Sequence, residues 1–226
     1  MNLNVIMKNI NSVVIDDLEH IKTQISSEQS KFKDSTILMT GCGGFLGFYL
    51  INFFVYYASE LKIKKIIGLD ISKGMLDVGI EKIKDRNLNN TIEMVVGDSE
   101  NLKYENDFFD AVTVSFGVRN FESLDSGLSE IFRVLKPNGS LVILETSNPT
   151  KFPFKQFYRF YSKFILPSIG KIFSKDKVAY NYLSESSAEF PYGEKFNNIL
   201  KKIGFNNVVD FPQTFGVATI YLASKS

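Results

Sequence analysis

The 226-residue chain has one cysteine, one histidine and no tryptophan. A single cysteine, Cys42, excludes an internal disulfide framework and any multi-cysteine metal or cluster site. The single histidine, His20, excludes Ser-His and Cys-His machinery unless that residue itself lies in the site. It stands in Asp16-Asp17-Leu18-Glu19-His20, which reads as a solvated helix face. An excess of charge is also missing. With 26 Lys and Arg against 25 Asp and Glu the formal charge is +1, so bulk charge gives a nucleic-acid partner no support. No basic segment followed by an apolar one opens the chain, so no signal peptide is expected. The apolar segment from Phe45 to Ser59 is shorter than the roughly 18 residues a bilayer span needs. These features read as a soluble, cytoplasmic protein. What is present is apolar and aromatic: 44% hydrophobic residues, with 21 Phe and 10 Tyr. That is enough for one large cored domain, or one domain with an arm.

Residues 1–35 read as a helical arm, with Ile15, Leu18, Ile21 and Ile25 at helical spacing. From residue 36 strands and helices alternate, and residues 36–226 are read as one Rossmann-like domain. Strands are expected at Ile37-Leu38-Met39, Lys65 to Leu69, Ile92 to Val96, Phe109 to Ser115 and Ser140 to Glu145. Helices are expected at Phe45 to about Ala58, Met75 to Lys84 and about Leu124 to Leu135, the last stopping at Lys136-Pro137-Asn138-Gly139. Alternation of this kind builds a parallel sheet with helices on both faces. Ligands of such sheets bind beyond the carboxyl ends of the strands. Those ends carry Gly41 to Gly44, Asp70, Asp98 and Ser115. After a helix at about Phe196 to Ile203, strands are expected at Asn207 to Phe211 and Val217 to Ala223. The five residues joining them force an antiparallel pair. A mostly parallel seven-stranded sheet closed by an antiparallel hairpin is similar to the fold of class I S-adenosylmethionine (SAM) methyltransferases.

Two readings of Thr40-Gly41-Cys42-Gly43-Gly44-Phe45-Leu46-Gly47 stay open. The spacing Gly41, Gly44, Gly47 resembles the fingerprint of extended short-chain dehydrogenases and nucleotide-sugar epimerases, and suits a pyrophosphate at a helix N-terminus. Alternatively Gly41, Gly43 and Gly44 align with a SAM-binding loop, with Met39 in place of the usual acid and Phe45 in place of the last glycine. Asp70, ending the second strand, fits either, because a carboxylate accepts from both ribose hydroxyls of NAD or SAM.

From Asp70 onward the sequence resembles the ubiquinone/menaquinone biosynthesis C-methyltransferases (the UbiE/MenG family). The residues that carry it are Asp70-Ile71-Ser72-Lys73-Gly74-Met75-Leu76, Gly97-Asp98-Ser99-Glu100-Asn101-Leu102 and Ser115-Phe116-Gly117-Val118-Arg119-Asn120. Further matches are Arg133 to Gly139, Tyr180-Asn181-Tyr182-Leu183 and Gly204-Phe205. The resemblance implies transfer of the SAM methyl to a ring carbon of a polyprenylated quinol, such as demethylmenaquinol or the equivalent ubiquinone precursor. A sulfonium methyl and a quinolate are already electrophile and nucleophile, so in-line positioning and stabilisation of the quinolate oxygen are what remain for the protein. On this resemblance Asp98 and Ser99 flank the adenine and Ser115 faces the methionine part of the cofactor. Arg119 and Asn120 meet the substrate oxygen. The stretch 151–177 carries seven basic residues and one acid, interleaved with Phe157, Phe160, Tyr161 and Phe164. Within a helical insertion at 151–195, it reads either as a peripheral contact with the inner face of the membrane or as a cap with a buried aromatic stripe.

The chain departs from that family at its front. Members open with a helical segment carrying a Tyr-Asp…Asn element, and residues 1–35 show nothing like it. With the altered glycine loop this suggests a hybrid, an epimerase-like first βαβ unit over residues 36–70 joined to a methyltransferase at Asp70. Three outcomes therefore stand: a SAM methyltransferase, an NAD(P)-dependent epimerase or dehydrogenase, and an inactive hybrid. The second needs a Tyr-x-x-x-Lys pair. Tyr158, Tyr161 and Tyr180 are followed four residues on by Ser162, Ile165 and Ser184, so none is expected. The oligomeric state is not legible.

Overall fold

The structure is a computed structural model that describes residues 12–42, 45–85, 88–165, 186–187 and 189–226. Its frame is a seven-stranded sheet in the order β3-β2-β1-β4-β5-β7-β6, with β1 at Thr36–Thr40, β2 at Lys65–Asp70, β3 at Ile92–Val96 and β4 at Phe109–Ser115. β5 spans Leu135–Thr146, β6 Asn206–Gln213 and β7 Ala218–Ser224. β1 is central and buried along its whole length, which is why Thr36 to Thr40 reads as a near-continuous apolar run rather than an alternating one. Leu38 lies beside Ile67 of β2 on one side and Val112 of β4 on the other, both pairings parallel. β7 runs antiparallel to β6, as the short connection requires, and antiparallel to β5 as well.

The alternating side chains of the strands build two cores. On one face β1 and β2 direct Ile37, Met39 and Ile66 toward α1 (Ser12–Gln24), α2 (Phe45–Leu61) and α3 (Lys73–Asp85). Leu18 of α1 is buried in this cluster with Phe53, Phe54 and Ala58 of α2. On the other face Val112, Val114, Leu141, Ile143 and Tyr221 pack under α4 (Leu124–Val134) and α6 (Glu194–Ile203), with α5 at Phe154–Phe160 lying outside the core. α4 starts where Ser123 accepts from the backbone N of Ser126. α6 stops at Gly204, whose φ of +121° no side-chain-bearing residue adopts comfortably.

The start of β5 differs most from the sequence reading. β5 begins at Leu135, before the expected Lys136–Gly139 turn. The turn is nevertheless present inside the strand. Pairing with β4 jumps from Phe109 beside Leu135 to Ala111 beside Ser140, and Asn138 sits at φ +64°. The C-terminus takes up the freed groups, Asn138 N donating to Lys225 O and Lys225 N to Gly139 O. Helix-breaking residues therefore mark an irregularity that sheet pairing spans.

The segment from Phe154 to Ile165 is one α-helical stretch followed by a π-type turn at Tyr161–Ile165. Phe157, Phe160 and Tyr161 are exposed, Phe157 at 68%, so among the described residues the aromatic stripe is not a core stripe. Lys171, Lys175, Asp176, Lys177 and the Tyr180 to Leu183 match lie outside the described residues, as do Gly43 and Gly44 of the glycine loop. Among the described residues no helix is long and apolar enough to cross a membrane.

Candidate active site

At the carboxyl edge of the sheet a cavity of about 500 Å3 opens where β1, β2, β3 and β4 end. Thr40 and Gly41 follow β1, Asp70 and Ile71 end β2, Gly97 to Glu100 follow β3, and Ser115 to Gly117 with Asn120 follow β4. Asp70, Asp98, Ser99, Ser115 and Asn120, chosen from separate stretches of sequence, thus line one cavity. Its position is the one expected of an open α/β sheet, and its volume falls in the roughly 300–1,000 Å3 range of small-molecule sites.

Close packing shapes the front wall. Gly41 adopts φ +66°, and a Cβ there would come within 3.2 Å of the Ser115 carbonyl oxygen. At Gly47, in the first turns of α2, a Cβ would lie 2.3 Å from the Cys42 carbonyl oxygen. Gly41 and Gly47 therefore allow backbone to approach backbone. Met39, aligned with a family acid, is buried in the core instead, and Thr40 is the β1 residue that reaches the cavity.

The acidic groups are partly engaged. Asp70 Oδ1 accepts from Ser72 N at 2.9 Å, and Asp98 Oδ1 from Glu100 N at 2.8 Å. Each leaves a second oxygen without a bond to the described residues. Glu100 was not singled out by sequence, yet its two oxygens accept from Glu122 N and Ser123 N, each at 2.8 Å. It ties the loop after β3 to the segment leading into α4 and closes that side of the cavity.

Arg119 is the main departure from expectation. Its guanidinium does not line the cavity. Nη1 donates to Glu145 Oε1 at 2.6 Å and to the Phe116 carbonyl at 2.9 Å. Glu145, fully buried at 0% exposure, also accepts from Arg119 N and from Thr146 N and Oγ1. A buried carboxylate with those donors holds a neighbouring guanidinium more firmly than an open cavity does. The group expected to meet a substrate oxygen is thus engaged with Glu145 and the Phe116 carbonyl. Arg119 braces the turn that carries Phe116 and Asn120, and Asn120 is the member of the pair that faces the cavity. Phe116 takes φ +53°, a left-handed conformation costly for a ring-bearing residue, of the sort that clusters at functional sites. Glu145 carried no sequence signal beyond ending a strand, since its partner is 26 residues away in sequence.

The Tyr-x-x-x-Lys spacing does occur, at Tyr221 and Lys225, a correction to the sequence reading. It makes no proton-transfer couple: the buried Tyr221 hydroxyl accepts from Gly193 N, burial pushes its pKa up, and Lys225 Nζ is held by Asp107 and the Phe132 carbonyl.

Fold and cavity together define a class I methyltransferase architecture. Solved structures share it: a SAM-dependent methyltransferase from Aquifex aeolicus matches with a TM-score of 0.58 at 18% identity, over 91% of this chain and 89% of that one. A Haemonchus contortus phosphoethanolamine N-methyltransferase 2 in complex with SAM matches with a TM-score of 0.60 at 17% identity, over 90% of this chain and 52% of that one. At the level of sequence the chain belongs to the ubiE/COQ5 methyltransferase family, whose model matches residues 5–225. A demethylmenaquinone methyltransferase of Bacteroides fragilis is 45% identical over 174 residues, 77% of this chain and 71% of the relative. Its counterpart in Staphylococcus saprophyticus is 45% identical over 161 residues, 71% and 68% of the two chains. The family match runs straight through the expected join at Asp70, and the epimerase likeness of the first 70 residues receives no support.

Proposed function

We propose that the protein uses SAM to methylate a ring carbon of a polyprenylated quinol, demethylmenaquinol above all. The observation that carries this reading is the convergence of Asp70, Asp98, Ser99, Ser115 and Asn120 on one cavity at the carboxyl edge of the sheet. The names of the relatives supply the substrate class.

The residues present fit the cofactor. Asp70 has an oxygen to offer vicinal ribose hydroxyls, and Asp98 an oxygen for an exocyclic amine beside Ser99. Ser115 ends β4 in the wall of the cavity and is assigned to the methionine part. Bound there, SAM supplies an electrophilic sulfonium methyl. The protein's share is alignment and electrostatics. Asn120 lines the cavity with its Nδ2 3.4 Å from the Phe116 carbonyl oxygen and is assigned to the substrate oxygen, and the Arg119–Glu145 pair fixes the turn that carries it. Arg119 acts in this reading as a positioning residue.

A peripheral membrane contact belongs to the same proposal. Phe152, Phe157, Phe160, Tyr161 and Ile165 are exposed beside the exposed Lys151, Lys155 and Arg159, and Phe154 stacks on Phe215 at 4.0 Å. Basic groups at the headgroup level and rings at the acyl boundary suit an anionic membrane surface that also holds the substrate. Calorimetric titration tests the cofactor: S-adenosylhomocysteine binds and NAD does not. NAD binding without S-adenosylhomocysteine binding overturns the reading.

A further inference from the structure

A second cavity, of about 550 Å3, lies on the sheet face beneath α1 and α2. Its floor is Thr113 to Ser115 of β4, Val142 and Leu144 of β5, and Ile220 of β7, and its roof is Ile21 of α1 with Tyr49 and Leu50 of α2. Asp17 and His20 of α1, both exposed, stand at its rim. Val142, Leu144 and Ile220 are only half-buried although they lie on interior strands of the sheet, so apolar surface faces open space here. Ser115 belongs to the walls of both cavities. The two therefore meet at the carboxyl end of β4, where the proposed function puts the methionine part of the cofactor and with it the methyl group to be transferred.

We propose that this second cavity receives the isoprenoid tail of the substrate, with the quinol ring in the first cavity beside the sulfonium methyl and the tail leaving past Ser115. The inference rests on the proposed function for the identity of the ring and on continuity at Ser115 for the direction of the tail. Walls that are mostly aliphatic, with charged groups only at the rim, suit a ligand with a polar head and a long hydrocarbon tail. Each methylene removed from water contributes about fourfold in affinity, so recognition should strengthen steeply with tail length until the cavity is full. The single histidine, read from sequence as a solvated residue, stands at the mouth through which such a tail passes.

The chain has no tryptophan, which permits a direct test. In Ile21→Trp the introduced indole is the sole tryptophan, and it reports on the cavity without any methyl transfer. Titration with geraniol, farnesol and geranylgeraniol is expected to shift its emission, with the midpoint falling at least tenfold for each added isoprene unit until the cavity is full. A second substitution, Ile220→Glu, placed in the floor of the same reporter protein, is expected to abolish the shift. In the unmodified protein with SAM, KM for demethylmenaquinols should fall with tail length while kcat changes little. No emission shift with any of the alcohols, a midpoint independent of tail length, or a shift that follows protein concentration because a second copy covers the face, overturns the proposal. The two readings fail separately. An emission response without quinol methylation removes the proposed function and leaves the tail site standing. Methylation with a KM indifferent to tail length and no emission response does the reverse.

Discussion

Removing the Glu145 carboxylate tests how the turn bearing Asn120 is held. Glu145 is fully buried and accepts from the Arg119 guanidinium at 2.6 Å, from Arg119 N at 3.3 Å and from Thr146 N at 2.7 Å. Arg119 has a side-chain exposure of 11%, and its Nε is buried without a partner among the described residues, so the guanidinium has little water to fall back on. In Glu145→Ala a buried cation loses its counter-charge, which costs roughly 3–5 kcal/mol. For a chain of this size each kcal/mol lowers the melting temperature by roughly 2–4 °C, so the loss should be roughly 6–20 °C. Glu145→Gln keeps the shape and one acceptor, and should cost less. Adding Arg119→Met to Glu145→Ala removes the stranded charge and should recover part of the loss. Thermal unfolding followed by circular dichroism reads all four proteins. If Glu145→Ala melts within about 2 °C of the parent, the carboxylate is not holding a buried cation and the bracing argument is wrong.

Gly47→Ala drives a Cβ to 2.3 Å from the Cys42 carbonyl oxygen, backbone against backbone, and should destabilise by roughly 1–3 kcal/mol in chemical denaturation. Asp70→Asn removes the charged acceptor for the ribose and should weaken S-adenosylhomocysteine binding roughly 10- to 100-fold by calorimetry, with melting temperature little changed. The Arg133 guanidinium, bonded to both oxygens of Glu130 at 2.8 Å, holds that carboxyl below its usual 4.5. A carboxyl depressed in the folded state stabilises at pH above its unfolded value, and the contribution is lost as pH falls through the folded value. The stability gap between parent and Glu130→Gln should thus be full at neutral pH and close on acidification below 4.5, as read by denaturant midpoints across pH.

Most of the fold was legible in the sequence because its signals are local. Ile92 to Val96 and Phe109 to Ser115 are apolar runs bounded by turn residues, and both strands fall at those bounds. The antiparallel hairpin followed from a five-residue connection. The end of α4 was less legible: Lys136 to Gly139 breaks a helix, but sheet pairing with β4 and the C-terminus continues across it. At the site, residues at strand ends were recoverable because position alone sends Asp70, Asp98 and Ser115 to one edge. The orientation of Arg119 was not, since it depends on Glu145, a partner distant in sequence and hidden within an ordinary strand pattern. The second cavity was invisible for the same reason: it arises where α1 and α2 leave β4, β5 and β7 partly uncovered, a property of packing rather than of any motif.

Methyl transfer itself is the most direct measurement. The purified protein is incubated with methyl-labelled SAM and a short-chain demethylmenaquinol, with Asp70→Asn as the binding-impaired control. The account expects label on the quinol ring, and less of it at low SAM concentration in the variant. Unlabelled quinol, from a protein that binds S-adenosylhomocysteine and remains folded, contradicts it.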